Sequence, residues 1–313
     1  MRALSLLGAV LGFVRLLSAG TVWIDTDVSI GSPIREVDDA YALVLAFHSP
    51  EIQIAGISTS YGNAPLGHTT RAARELVRLF GGDANVKAEE VFVGAGSAAD
   101  LGRRNEASEA LAGVLENNSV TYIALGPLTN LATFLQLHPE RTRNITRIVF
   151  LGGQEEGTTL ALGPGGSFHI HDANVFKDPA AAAAVVRSHL PLTVVPIRTA
   201  SNLLLNKEDL RELEWHGGAG SYLSRRSKVW LWFWTQFAKT NGGAIFDALA
   251  VVAATKPELV STETRYAKMD EAGNLRVTRN LTSGSRPVRY CTGLRPKTKS
   301  VVLQRLLSPR SRK

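Results

Sequence analysis

The chain has 313 residues, 44% of them hydrophobic, and a formal net charge of +7. That length and apolar content suit a globular domain with a sizeable core. Cys291 is the only cysteine, which excludes an intrachain disulfide and any cysteine-based zinc site. Much of the basic excess lies between Arg286 and Lys313 and reads as a solvated C-terminal extension, assigned to residues 291–313. No basic face interleaved with aromatics accompanies it, so no nucleic-acid partner is expected.

Residues 1–20 have signal-peptide grammar: Arg2, an apolar run over residues 3–14, and the small residues Ser18, Ala19 and Gly20. The run is too short to span a bilayer. The expectation is cleavage before Thr21 and a secreted protein with no membrane anchor after removal, the alternative being a cytoplasmic one. The sequons at Asn117, Asn144 and Asn280 suit secretion.

Val22, Trp23 and Ile24 predict a buried strand that runs directly into Asp25 and Asp27. A loop rich in Gly, Ser and Pro follows, and Asp38 and Asp39 open a helix with apolar residues at Ala40, Leu43, Val44 and Phe47. Any one of these aspartates suits a helix cap or a solvated loop. Together they are unlike chance: clustered carboxylates repel, and in an apolar setting they stay protonated or share a cation. Ca²⁺ and Mg²⁺ take oxygen ligands of this kind.

Further strands are predicted at 52–57, 91–93, 121–125, 147–151 and 192–197, with helices at 68–80, 106–116, from Asn130 to Leu137, from Pro179, and at 245–254. Residues 154–173 form a long glycine-rich loop, a feature that is usually functional. Residues 206–246 are mostly helical and carry Trp230, Trp232, Phe233, Trp234 and Phe237; residues 262–290 suggest a terminal hairpin. Strands alternating with helices predict an α/β fold, an open, mainly parallel Rossmann-like sheet flanked by helices in one domain over residues 21–290. Ligands bind such sheets beyond the carboxyl ends of the strands.

The loops at those ends match one pattern in order. Asp25, Asp27, Asp38 and Asp39 fit D-x-D…D-D; Gly62-Asn63 ends the second strand; Gly126-Pro127-Leu128-Thr129-Asn130 is an intact G-P-L-T-N turn; Gly152-Gly153 ends another strand. Asp172-Ala173-Asn174 leads to Asp178-Pro179, and Asp247 opens a late helix. In these features the chain resembles the inosine-uridine-preferring nucleoside hydrolases, which cleave the N-glycosidic bond of ribonucleosides to ribose and free base.

The resemblance implies Ca²⁺ held by Asp27, Asp39, Asp247 and the backbone carbonyl of Thr129. The ion would orient the sugar and help generate the nucleophilic water, with Asp27 as the base. Asp38, Asn63 and Asn174 would bind the ribose, Asp172 would reach its far side, and Phe246 would meet the base. It also implies a small-molecule nucleoside as partner and a homodimer or homotetramer.

Four departures stand out. Ten residues, Val28 to Val37, separate Asp27 from Asp38 where the family has three or four. Asp172 replaces a Glu. Gly166, next to Ser167, stands where an Asn is usual. Phe246 replaces the His that serves one subgroup as leaving-group acid. Phe246, Trp232 and Trp234 are candidate stackers for the base, and His169 and His171 candidate acids. Two competing functions remain at the level of sequence. Asp25-Thr26-Asp27-Val28 also fits the nucleophile motif of haloacid-dehalogenase-like phosphohydrolases. The missing His also suits a non-catalytic nucleoside or ribose binder.

Overall fold

A computed structural model describes residues 20–31 and 36–308. The leader, the middle of the Val28–Val37 insertion and the last basic residues lie outside that range. In chain order the elements are β1 (Gly20–Thr26), α1 (Asp38–Phe47), β2 (Ile52–Thr59), α2 (Leu66–Phe80), β3 (Val91–Val93), α3 (Glu106–Asn117), β4 (Val120–Ala124), α4 (Thr129–Leu137) and β5 (Ile145–Leu151). The glycine-rich loop contains β6 (Gln154–Glu155), β7 (Leu160–Leu162) and β8 (Phe168–Ile170). Then come α5 (Ala173–Lys177), α6 (Pro179–Arg187), β9 (Leu192–Val195), α7 (Ile197–Ala200), β10 (Leu204–Leu205), α8 (Lys207–His216) and α9 (Gly218–Trp232). The chain closes with β11 (Gly243–Ala244), α10 (Phe246–Thr255), β12 (Val260–Met269), β13 (Leu275–Thr278), β14 (Arg286–Leu294) and α11 (Thr298–Leu307).

The central sheet has ten strands in the order β3-β2-β1-β4-β5-β9-β14-β12-β13-β6. Only β12 runs against its neighbours β14 and β13. The mainly parallel α/β sheet expected from the sequence is therefore present, extended by the C-terminal strands. β1 lies between β2 and β4, so the chain leaves β1 for one side of the sheet and later returns to the other. That reversal opens a crevice beyond the carboxyl end of β1.

Alternation along β1 places Val22 and Ile24 in the core on one face of the sheet and Trp23 in the core on the other. Both faces are covered, which explains why the strand reads as a continuous apolar run. α1 carries apolar residues all round, and every residue of it is buried. It packs against α10. The first turns of α1 and α10 carry Asp38, Asp39 and Asp247, and a helix N-terminus favours negative charge.

The C-terminal segment is not a solvated extension. β14 runs through Cys291 to Leu294 inside the sheet, and α11 buries Val302 and Leu306 in the core. Two of its basic residues are built in, while Arg289, Arg295 and Lys297 stay exposed. Arg286 is buried and donates to the Val186 carbonyl at 3.1 Å, and Arg305 pairs with Glu51 and donates to Ser49 Oγ at 2.8 Å. Composition misplaced this boundary because a charge run says nothing about where the guanidinium groups find carbonyl and carboxylate partners. No helix among the described residues is long and apolar enough to cross a membrane.

Candidate active site

Asp25 sits inside the sheet, fully buried. Its Oδ1 accepts from Ser58 Oγ at 2.6 Å and Asn130 Nδ2 at 2.8 Å; Oδ2 is buried without a partner. Burial pushes its pKa up to about 6, against the pull of these hydrogen bonds. Ser58 in turn accepts the Trp23 indole N–H at 2.8 Å. Asp25 thus ties β1 to β2 and to the G-P-L-T-N turn, and it has no surface from which to attack a phosphate. The phosphohydrolase alternative loses its nucleophile.

Asp27 follows the strand and is 1% exposed. Its Oδ2 accepts the Asn63 backbone N–H at 2.7 Å. Gly62 comes so close that a Cβ there would lie 1.7 Å from that oxygen, and its φ of 155° is one that L side chains rarely adopt. Asp39 Oδ1 accepts from the Thr26 hydroxyl and from the Asp27 N–H at 3.2 Å, and its Oδ2 accepts from Asn63 Nδ2 at 3.0 Å. Asn63 therefore bridges two aspartates twelve positions apart in the chain.

Asp38, Asp39 and Asp247 each offer an oxygen, all within 4.8 Å of one another. Asp38 Oδ1 and Asp247 Oδ1 are buried without hydrogen-bond partners. Burial, then mutual repulsion, holds the Asp27 and Asp247 carboxyls well above the usual range; burial, then the charges of Glu36 and Asp39, does the same for Asp38. Burial raises Asp39 too. Orphaned buried oxygens in a hard-oxygen cluster fit a divalent cation, which would satisfy them and offset the repulsion.

Thr129 opens α4 in the turn whose Gly126 packs against Asp27. Its hydroxyl donates to Asp178 Oδ2 at 2.6 Å, so any part it takes in the cluster falls to its carbonyl. Phe246 stands beside Asp247 in the first turn of α10, 8% exposed, with its ring 5.7 Å from that of Trp234. Trp234 rides on a π-helical turn, Phe233–Phe237, of the kind often found at functional sites. Trp232 lies elsewhere: it is 60% exposed and lines a separate surface groove between α8 and α9.

Two residues on the adjoining rim are engaged with backbone. Asn174 Nδ2 donates to the carbonyls of Leu125 at 2.6 Å and Leu151 at 3.0 Å, clamping the ends of β4 and β5. Asp172 caps α5 through Val175 N–H at 3.2 Å and also accepts from Gly153 N–H. His169 and His171 are exposed at the β7–β8 hairpin, with His169 Nδ1 3.0 Å from Thr159 Oγ1.

Two further residues at the site were missed in the sequence reading. Glu36, at the end of the insertion, accepts the Trp230 indole N–H at 2.9 Å, and burial pushes its pKa up to about 7. Lys177 places Nζ 3.9 Å from Asp27 Oδ2. Its spacing held a signal: three positions after Asn174 on α5, it shares that residue's helical face.

The family model described as inosine-uridine preferring nucleoside hydrolase matches residues 22–301. A probable uridine nucleosidase 2 of Arabidopsis thaliana is 28% identical over 83% of this chain and 84% of its own. A pyrimidine-specific ribonucleoside hydrolase of Salmonella paratyphi A is 26% identical over 75% and 82%. Among solved structures, a plant nucleoside hydrolase superposes with a TM-score of 0.78 at 23% identity, covering 93% of this chain and all of that one. A purine-preferring ribonucleoside hydrolase from Gardnerella vaginalis superposes with a TM-score of 0.73 at 22% identity, covering 92% and 96%. With the fold, the ordered loop motifs and a match across most of the chain in agreement, the protein belongs to the inosine-uridine preferring nucleoside hydrolases and is a hydrolase acting on N-glycosyl compounds.

Proposed function

We propose that the protein hydrolyses ribonucleosides to ribose and free base with Ca²⁺ as cofactor and Asp27 as the base that takes a proton from the attacking water. The observation that carries this is the buried cluster of Asp38, Asp39 and Asp247, with unpartnered oxygens on Asp38 and Asp247, at the crevice where Asp27 also lies. With the ligand set the resemblance implies, Asp27, Asp39, Asp247 and the Thr129 carbonyl, the ion would supply Lewis acidity and a fixed frame for the sugar hydroxyls. Ca²⁺ fits better than Mg²⁺ because it accepts the irregular, higher coordination that several carboxylates and a diol provide.

The chain's own groups then divide the work. The Asn63 N–H fixes the orientation of Asp27. Asp38, Asn63 and Asn174 orient the ribose, and Asp172 holds the Gly153 turn at the rim. The ring of carboxylates stabilises positive charge developing on the sugar. Phe246 and Trp234 give the base an apolar wall and no proton, so bond breaking depends on the leaving group. The curated relatives are named for uridine and pyrimidine nucleosides, which makes these the first substrates to assay.

The test is reducing-sugar release from a nucleoside panel and p-nitrophenyl riboside, with Ca²⁺ or with EDTA. Ribose release that needs Ca²⁺, is faster from the activated riboside and is lost in Asp27→Asn is the expected result. Calorimetric ribose binding with no turnover of any substrate would instead identify a non-catalytic binder.

A further inference from the structure

Lys177 ends α5, and its carbonyl accepts the Tyr61 hydroxyl at 3.1 Å, which fixes where the side chain starts. Its ammonium reaches Asp27 Oδ2 at 3.9 Å. Among the described residues it is the only cation paired with a carboxylate of the proposed ion site, and that carboxylate is Asp27; the adjoining Asp38, Asp39 and Asp247 have none. The Lys177 side chain is 24% exposed where Asp27 is 1%, so the ammonium has a way out to water along its own flexible stem.

We propose that Lys177 is the built-in counter-cation of the acidic cluster, and that it competes with the divalent ion for Asp27 and so sets how tightly that ion is held. This rests on the ion site described above. The physical reason is short-range electrostatics. Several buried carboxylates repel, and an ammonium beside one of them offsets part of that repulsion when no ion is present. A divalent ion entering on Asp27 then meets a like charge a few ångströms away. The lysine must withdraw toward solvent, and that cost is subtracted from the ion's affinity. Asn63, which donates to Asp27, is neutral and does not replace the lysine's charge there.

The experiment is calorimetric titration of Ca²⁺ into the EDTA-stripped full chain, comparing the natural protein with Lys177→Met, Lys177→Gln and Lys177→Arg. Methionine keeps the apolar stem and glutamine a polar tip; neither carries charge. Both should bind Ca²⁺ roughly tenfold more tightly, whereas arginine should stay near the natural affinity. In EDTA at pH 8 the uncharged variants should melt at a lower temperature, and saturating Ca²⁺ should remove the difference. A role in packing alone would leave affinity unchanged or weaken it. Equal or weaker Ca²⁺ binding by both uncharged variants overturns the proposal while leaving the ion site intact. Failure of the natural protein and every variant to take up Ca²⁺ overturns the ion site, and this proposal with it.

Discussion

Asn130 offers the sharpest test of how the fold holds the site. Its Nδ2 donates to Asp25 Oδ1 at 2.8 Å and to the Thr59 carbonyl at 3.2 Å, while its Oδ1 accepts the Ala95 N–H at 2.8 Å. All of these groups lie in the interior. Asn130→Ala removes a hydrogen bond to a charged group, about 1.5–3 kcal/mol, and strands the buried Ala95 N–H, about 1–3 kcal/mol. The expected loss is about 4 kcal/mol, which for a chain of this size lowers the melting temperature by about 6 °C.

The loss should also depend on pH. Asp25 has a folded pKa of about 6, above its unfolded value near 3.8, so the native state binds the proton more readily than the unfolded one. Its contribution to stability is present below the unfolded pKa and is lost as pH rises through the folded pKa. The Asn130 hydrogen bond pulls that pKa down, so removing it extends the loss above pH 6. Urea melts of both proteins, run in EDTA at pH 5 and pH 8, should show a larger deficit for the variant at pH 8. An equal deficit at the two pH values, or one below about 1 kcal/mol, would refute the assignment of Asn130 as the group that holds Asp25.

Two substitutions probe the crevice, each set beside a control elsewhere in the fold. Gly62→Ala places a Cβ against Asp27 Oδ2 at a strained φ, and it should cost about 1–3 kcal/mol and, by displacing Asp27, roughly a hundredfold in turnover. Gly113→Ala in α3, with open space around it, should instead stabilise by about 0.5–1 kcal/mol and leave turnover alone, as denaturant melts and initial rates would show. Phe246→Leu should raise KM for nucleosides several-fold with the fold retained, and Trp232→Ala should change neither KM nor, beyond about 0.5 kcal/mol, stability; the reverse pattern in steady-state kinetics would move the base site to the α8–α9 groove.

The sequence alone determined the alternation of strands and helices, because burial on both faces writes β1, β4 and β5 as apolar runs and loop chemistry marks their ends. It also located the chemistry. Asp25 and Asp27 are joined to a strand end, and Asp38, Asp39 and Asp247 to helix starts, so local pattern fixed their place at one edge of a parallel sheet. The division of labour among them was decided by the tertiary structure. Asp25 and Asp27 are two residues apart and alternation alone would treat them alike, yet β1 ends between them at Thr26: Ser58 and Asn130 hold Asp25 as a structural tie, while Asn63 holds Asp27 at the crevice. Trp232 and Trp234 look equivalent in sequence, but a π-helical turn sends one toward Phe246 and leaves the other in solvent. The basic C-terminal segment joined the core because Arg286 and Arg305 found carbonyl and carboxylate partners more than 90 positions away. Lys177 met Asp27 across 150 residues for the same reason: long-range proximity is set by how the strands pair and the helices pack, and no local window of sequence contains it.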